Sequence, residues 1–174
     1  MRWRACVVVV VLLAAGLAAG SASGQALRVG APAPELAGER WVNSGPLTMQ
    51  ALRGRVVMVE FWTFDCINCR NVIPQLQGWS ERYEKDGFTI VSVHSPEFFW
   101  EKSYDRVVSA TKKLGVRYPV VQDNDFAIWN RWGVRAWPTM ILMDRKGIVR
   151  YRHIGEGEYD ATEAMIQRLL AESG

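Results

Sequence analysis

The sequence predicts an α/β domain, a sheet with helices on both faces, and three observations carry that prediction. Apolar runs of strand length alternate along the chain with segments of helical period. The most apolar of these runs, Val56-Val57-Met58-Val59-Glu60-Phe61-Trp62, leads through a short loop into a pair of cysteines, Cys66-Ile67-Asn68-Cys69, at the head of a helical pattern. The 174 residues suffice for a single core, and no internal repeat or second domain interrupts them.

Residues 1–24 stand apart from that domain. Arg2 and Arg4 precede an uninterrupted apolar run from Ala5 to Ala19, and small residues follow to Gly24, the layout of a secretory leader. Cleavage near Ala22 or Gly24 is the favoured reading and an uncleaved anchor the alternative, the apolar run being short for a full span. Cys6, at the start of the run, is a bystander. Without Arg2 and Arg4 the remainder holds 19 basic and 18 acidic residues, and no basic stripe survives to hold nucleic acid. The reading is therefore an exported domain over residues 25–174, periplasmic or otherwise extracytoplasmic.

Within it, Gln25 to Gly38 is rich in Ala, Pro and Gly and reads as an extended N-terminal extension. Arg40-Trp41-Val42 and Pro46-Leu47-Thr48 flank Asn43-Ser44-Gly45, a turn signal, so a short hairpin is expected there. Thr48 is placed to cap a helical turn through Leu52 that Gly54 ends. Val56 to Trp62 is a buried strand. Ile67 to Tyr83 is a helix with Pro74 inside it, which should kink it. Phe88 to His94 is a second strand, Glu101 to Leu114 a helix stopped by Gly115, Tyr118 to Val121 a short strand, and Asp125 to Trp132 a helix. Thr139 to Met143 and Ile148 to Ile154 form an antiparallel pair through the turn Asp144-Arg145-Lys146-Gly147, and Ala161 to Ala171 is the closing helix.

The chemistry centres on the cysteines. On the first turn of a helix, two sulfurs at this spacing come close enough to form a reducible disulfide. The helix N-terminus directs unpaired N–H groups at Cys66, favours its thiolate and makes it the expected nucleophile, with Cys69 deeper and less exposed. A zinc half-site is the competing reading, but four ligands are needed and only Cys6, His94 and His153 remain to supply more. A purely structural disulfide across so short a loop constrains the unfolded chain little. Glu60, after three apolar residues on a central strand, pays for burial with a raised pKa, and beneath the cysteines it could accept the proton of Cys69. Asp65 could cap the redox helix, though its charge opposes a thiolate. Trp62 and Phe64 serve either as core or as substrate contacts, and His94, with Glu97, is either near the site or a solvent-facing or core histidine, with no catalytic role assigned.

At these residues the sequence resembles the thioredoxin superfamily, and within it the extracytoplasmic TlpA/ResA and DipZ-type branch of thiol-disulfide oxidoreductases, redoxins related to the AhpC/TSA proteins. Glu60-Phe61-Trp62, the Cys66–Cys69 pair, Pro74 and Trp137-Pro138-Thr139 carry the superfamily frame. Cys66-Ile67-Asn68-Cys69, Val93-His94-Ser95-Pro96-Glu97-Phe98, Tyr118-Pro119-Val120-Val121-Gln122-Asp123-Asn124 and Gly155-Glu156-Gly157-Glu158-Tyr159 carry the branch. The resemblance implies a thioredoxin-like three-layer α/β/α fold with a central mixed sheet. It also implies a cis Pro138 against the disulfide, with the backbone of Trp137 pairing with an extended substrate as an added strand. Cys66 then attacks, Cys69 resolves, and no cofactor or metal is needed beyond the Cys66–Cys69 disulfide. The implied partners are protein disulfides or dithiols and a membrane electron donor such as a DsbD/CcdA-like protein, with the chain a monomer and a reductant. Two alternatives stand beside it: a peroxiredoxin-like peroxidase, suggested by Thr63 three residues before Cys66 but lacking a Pro at Val59, and a copper-binding module using the two thiolates. Asn124 and residues 155–159 have no role beyond loop geometry, for which Gly155 and Gly157 permit unusual backbone angles.

Overall fold

The computed structural model describes residues 27–172, so the expected leader, Cys6 and the start of the extension lie outside the described residues. Six strands form one mixed sheet. They are β1 (Trp41–Val42), β2 (Val56–Trp62), β3 (Phe88–His94), β4 (Val120–Gln122), β5 (Thr139–Met143) and β6 (Val149–Ile154). Their spatial order is β1-β4-β3-β2-β5-β6, parallel from β4 through β2 and antiparallel elsewhere. Among the described residues four α-helices flank the sheet: α1 (Ile67–Tyr83), α2 (Tyr104–Lys113), α3 (Ala127–Arg131) and α4 (Tyr159–Ala171). Among the described residues no helix is long and apolar enough to cross a membrane.

β2 is central and buried on both faces, which explains why its sequence is a continuous apolar run and not an alternating one. Its even-numbered residues Val56, Met58 and Trp62 pack with Val72, Ile73 and Leu76 of α1 and Ile166 and Leu169 of α4. The odd-numbered Val57, Val59 and Phe61 pack on the opposite face with Ile128 and Trp129 of α3 and with Leu36, Met49 and Leu52 of the N-terminal segment. On α1 the buried side chains recur at Cys69, Val72, Ile73, Leu76, Trp79 and Tyr83, the stripe a helix needs to cover a sheet. Pro74 lies inside that helix and leaves the carbonyl of Arg70 without its usual N–H partner.

The hairpin expected between Arg40–Val42 and Pro46–Thr48 does not form. Trp41 and Val42 pair antiparallel with Val121 and Val120, while residues 46–48 carry no strand. The turn signal is real, with Asn43 at φ 66°, but its side-chain amide donates to the carbonyls of Val116 and Tyr118 and fastens the turn to the segment leading into β4. Thr48 does cap the following turn, its Oγ1 accepting from Ala51 N at 3.1 Å, and Gly54 ends it at φ 85°. Helix α2 starts at Tyr104, not Glu101, because residues 99–102 form a separate 3-10 turn.

Candidate active site

Loops at the carboxyl ends of β2 and β3 and the segment entering β5 converge where α1 begins, the usual place for a site in such sheets. Cys66 is the N-cap of α1, and its Sγ accepts from Cys69 N at 3.2 Å. Cys66 and Cys69 are joined in a disulfide with Cα atoms 5.3 Å apart. Cys66 is half-buried and Cys69 fully buried, so one sulfur meets solvent and the other does not.

Asp65 does not cap the helix. Its Oδ2 accepts from Trp100 Nε1 at 2.7 Å, and Cys66 occupies the capping position in its place. The loop is held instead by Glu101, a buried carboxylate that sequence reasoning placed on a helix. Glu101 Oε1 accepts from Asp65 N at 3.1 Å, and Oε2 accepts from Glu97 N and Phe98 N, both at 2.7 Å. One side chain thus ties the cysteine loop to the loop after β3 through charge-assisted bonds.

Glu60 lies on the α1 side of β2, completely buried. Oε2 accepts from Ser92 Oγ of β3, its register partner, while Oε1 has no partner among the described residues. Burial raises its pKa from 4.5 to about 7, against the smaller lowering effect of the Ser92 bond. The Tyr118 hydroxyl is also buried with no partner among the described residues, and its pKa is pushed well above the ordinary phenol by burial first and the Glu60 charge second. Neither Ser92 nor Tyr118 is visible as a site residue in the sequence, because strand register makes them Glu60's neighbours.

His94 is buried, its ring stacked on Phe64 (centroids 5.4 Å apart) and edge-on to Trp62 (5.5 Å). Nε2 lies 3.2 Å from Thr63 Oγ1. Burial lowers its pKa to about 4, outweighing the opposing Glu101 charge. Trp62 is 1% exposed, which removes it from contact with a substrate and makes it core. Phe64 is half-buried and stays at the surface of the site. Trp137 is half-buried too, and its Nε1 donates to Ser95 O at 3.0 Å. The Trp137–Pro138 peptide is cis, and Pro138 O accepts from Gly155 N at 2.8 Å. That bond gives the 155–159 segment a structural place beside the site, with Gly155 at φ 94° and Gly157 at φ 101°. Among the described residues no group of three or more His, Cys, Asp or Glu side chains is placed to hold a metal ion.

A cysteine pair where a helix leaves the central strand of this mixed sheet defines a thioredoxin-like fold with a dithiol–disulfide centre. The chain belongs to the AhpC/TSA family, which matches residues 29–152. It is 39% identical over 142 residues to a protein DipZ of Mycobacterium bovis, a match covering 79% of this chain but 20% of that protein. It is 26% identical over 144 residues to the thiol-disulfide oxidoreductase YkuV of Bacillus subtilis, covering 82% of this chain and 96% of that one. In structure it resembles a thiol-disulfide isomerase of Corynebacterium glutamicum, with a TM-score of 0.72, 26% identity, and 81% and 98% of the two chains covered. This chain therefore spans about a fifth of the length of the DipZ relative.

Proposed function

We propose that the chain is an exported thiol-disulfide oxidoreductase acting on protein substrates as a reductant. The observation that carries this reading is the asymmetry of the pair: Cys66 half-buried at a helix N-terminus, bonded to a fully buried Cys69, with a protonatable Glu60 on the same side of the sheet. In the reduced state the Cys66 thiolate attacks one sulfur of a substrate disulfide. That bond breaks, and the first substrate thiol leaves. Cys69 then gives its proton to Glu60 and attacks Cys66 Sγ, which releases the second substrate thiol and leaves the chain oxidised by two electrons. With a pKa of about 7, Glu60 can hold that proton and return it near neutral pH. A membrane dithiol donor of DsbD/CcdA type would restore the reduced state, and the arginine-led apolar segment supports export to an extracytoplasmic compartment.

The names of the YkuV and Corynebacterium relatives support exchange as the chemistry. The peroxidase alternative is weakened by Thr63, which is buried with its hydroxyl engaged at His94. A trapping experiment tests the assignment. Reduced Cys69→Ser chain mixed with a disulfide-bonded protein such as insulin is expected to accumulate a mixed disulfide through Cys66, visible as a mass shift. The Cys66→Ser chain should trap none. Trapping by Cys66→Ser and not by Cys69→Ser would reverse the two roles.

A further inference from the structure

We propose that the cleft beside Cys66 is a docking site for an acidic segment of the protein partner, next to the partner's reactive cysteine. This rests on the reading of Cys66–Cys69 as an exchange couple. The cleft, about 240 Å³, opens between the start of α1 and one face of α2. Its charged lining is Arg70, Arg106 and Lys113 against Asp65, and its apolar lining includes Phe64 and Leu114.

Three features give the cleft its sign. Arg106, Ser109, Ala110 and Lys113 line it at helical spacing, so one stripe of α2 is turned toward the redox loop. All three cations are exposed and, like most Lys and Arg side chains among the described residues, form no ion pair there, so their charge is free to meet a partner. The one lining acid, Asp65, is held through Oδ2 by the neutral Trp100 Nε1, so the lining stands at three cations to one acid. Three cations against one acid therefore give the cleft, which includes Phe64 and Asp65 just before Cys66 and Arg70 just after Cys69, a surplus of positive charge in a domain that is otherwise close to neutral.

Size and place select the occupant. Pockets that enclose whole small molecules run from roughly 300 to 1,000 Å³, and this one is smaller, fit for side chains of a larger partner. Asp65 and Arg70 bracket the cysteine pair in sequence, so a partner cysteine that reaches Cys66 brings its own neighbours over the cleft. Glu or Asp side chains there meet two arginines and a lysine, while Phe64 and Leu114 accept their methylene stems. Without the cleft, the Cys66 thiolate and Asp65 would favour basic partners, so the proposal predicts a preference of the opposite sign.

The test uses the reduced full-length chain and two synthetic peptides, each carrying one cysteine as a mixed disulfide with thionitrobenzoate, flanked by Glu in one and by Lys in the other. Cys66 attack releases thionitrobenzoate, which is followed by absorbance, and Cys69 then frees the peptide thiol. The Glu-flanked peptide is expected to react about 10-fold faster or more at low salt, with the gap closing toward 1 M salt. The double substitution R106E/K113E should abolish or invert the ratio. Equal rates, a faster Lys-flanked peptide, or a preference that survives R106E/K113E would overturn the docking site alone. Failure to react with either peptide and with 2-hydroxyethyl disulfide would overturn the exchange reading and this proposal together.

Discussion

The two faces of β2 are built from one heptapeptide and do different work. The odd-numbered residues Val57, Val59 and Phe61 join Val91, Val93 and Ile141 in an apolar core closed by Trp129 and Trp132, at whose edge the buried Asp123 accepts from Ile128 N and Trp129 N. The even-numbered side carries Glu60 between Met58 and Trp62, and β3 adds Ser92 and His94 beside it. Both faces are equally sealed from solvent, so burial alone does not distinguish them. What differs is that one face spends its burial on packing while the other uses it to shift two titratable groups in opposite directions, Glu60 up to about 7 and His94 down to about 4. The cysteines stand on the second face.

The largest expected effect belongs to the apolar side. Phe61, fully buried and in edge or tilted contact with Trp129 and Trp132, is expected to cost about 3–5 kcal/mol of unfolding free energy when cut to Ala, measured by denaturant titration. The Cys66–Cys69 reduction potential of the folded Phe61→Ala chain should move little by comparison. A potential shift comparable to the stability loss would break the division between the faces.

Glu60 sharpens it. Between about pH 4.5 and 7 the folded chain holds a proton at Glu60 that the unfolded chain has lost, so this group makes stability fall as pH rises through that window and level off above it. The stability of Glu60→Gln minus that of the unsubstituted chain should therefore grow by about 3 kcal/mol from pH 4.5 to above 7. His94 acts the other way, its folded form lacking a proton that the unfolded chain binds between about pH 4 and 6.5, so its contribution makes stability rise with pH there and persists in Glu60→Gln. Glu60→Gln should also slow release of substrate from the mixed disulfide by about 100-fold or more, with the initial attack by Cys66 much less affected. A pH-independent stability difference together with unchanged release would remove Glu60 from the proton path.

Much of the polar face is legible in the sequence, because a carboxylate after Val57-Met58-Val59 and a cysteine pair at a helix start are local features. Strand and helix positions followed from runs and periods in the same way, with ends displaced by a few residues where loops tighten, as at Glu101. What was not legible depends on distant pairing. Trp41 and Val42 looked like half of a hairpin because Asn43-Ser44-Gly45 is a turn, yet their partners lie at Val120 and Val121. Ser92 and Tyr118 became neighbours of Glu60 only through register and crossover, and Glu101 gained its role by reaching across to Asp65 N. Trp62 reads the same in sequence whether it faces solvent or core, and its burial decided the matter.

The measurement that tests the central claim most directly is equilibration of the chain against dithiol buffers of defined potential, with the thiol content counted at each step. The account predicts a reversible two-electron couple more reducing than about −200 mV, carried by Cys66 and Cys69. A pair that cannot be reduced and reoxidised reversibly would contradict it.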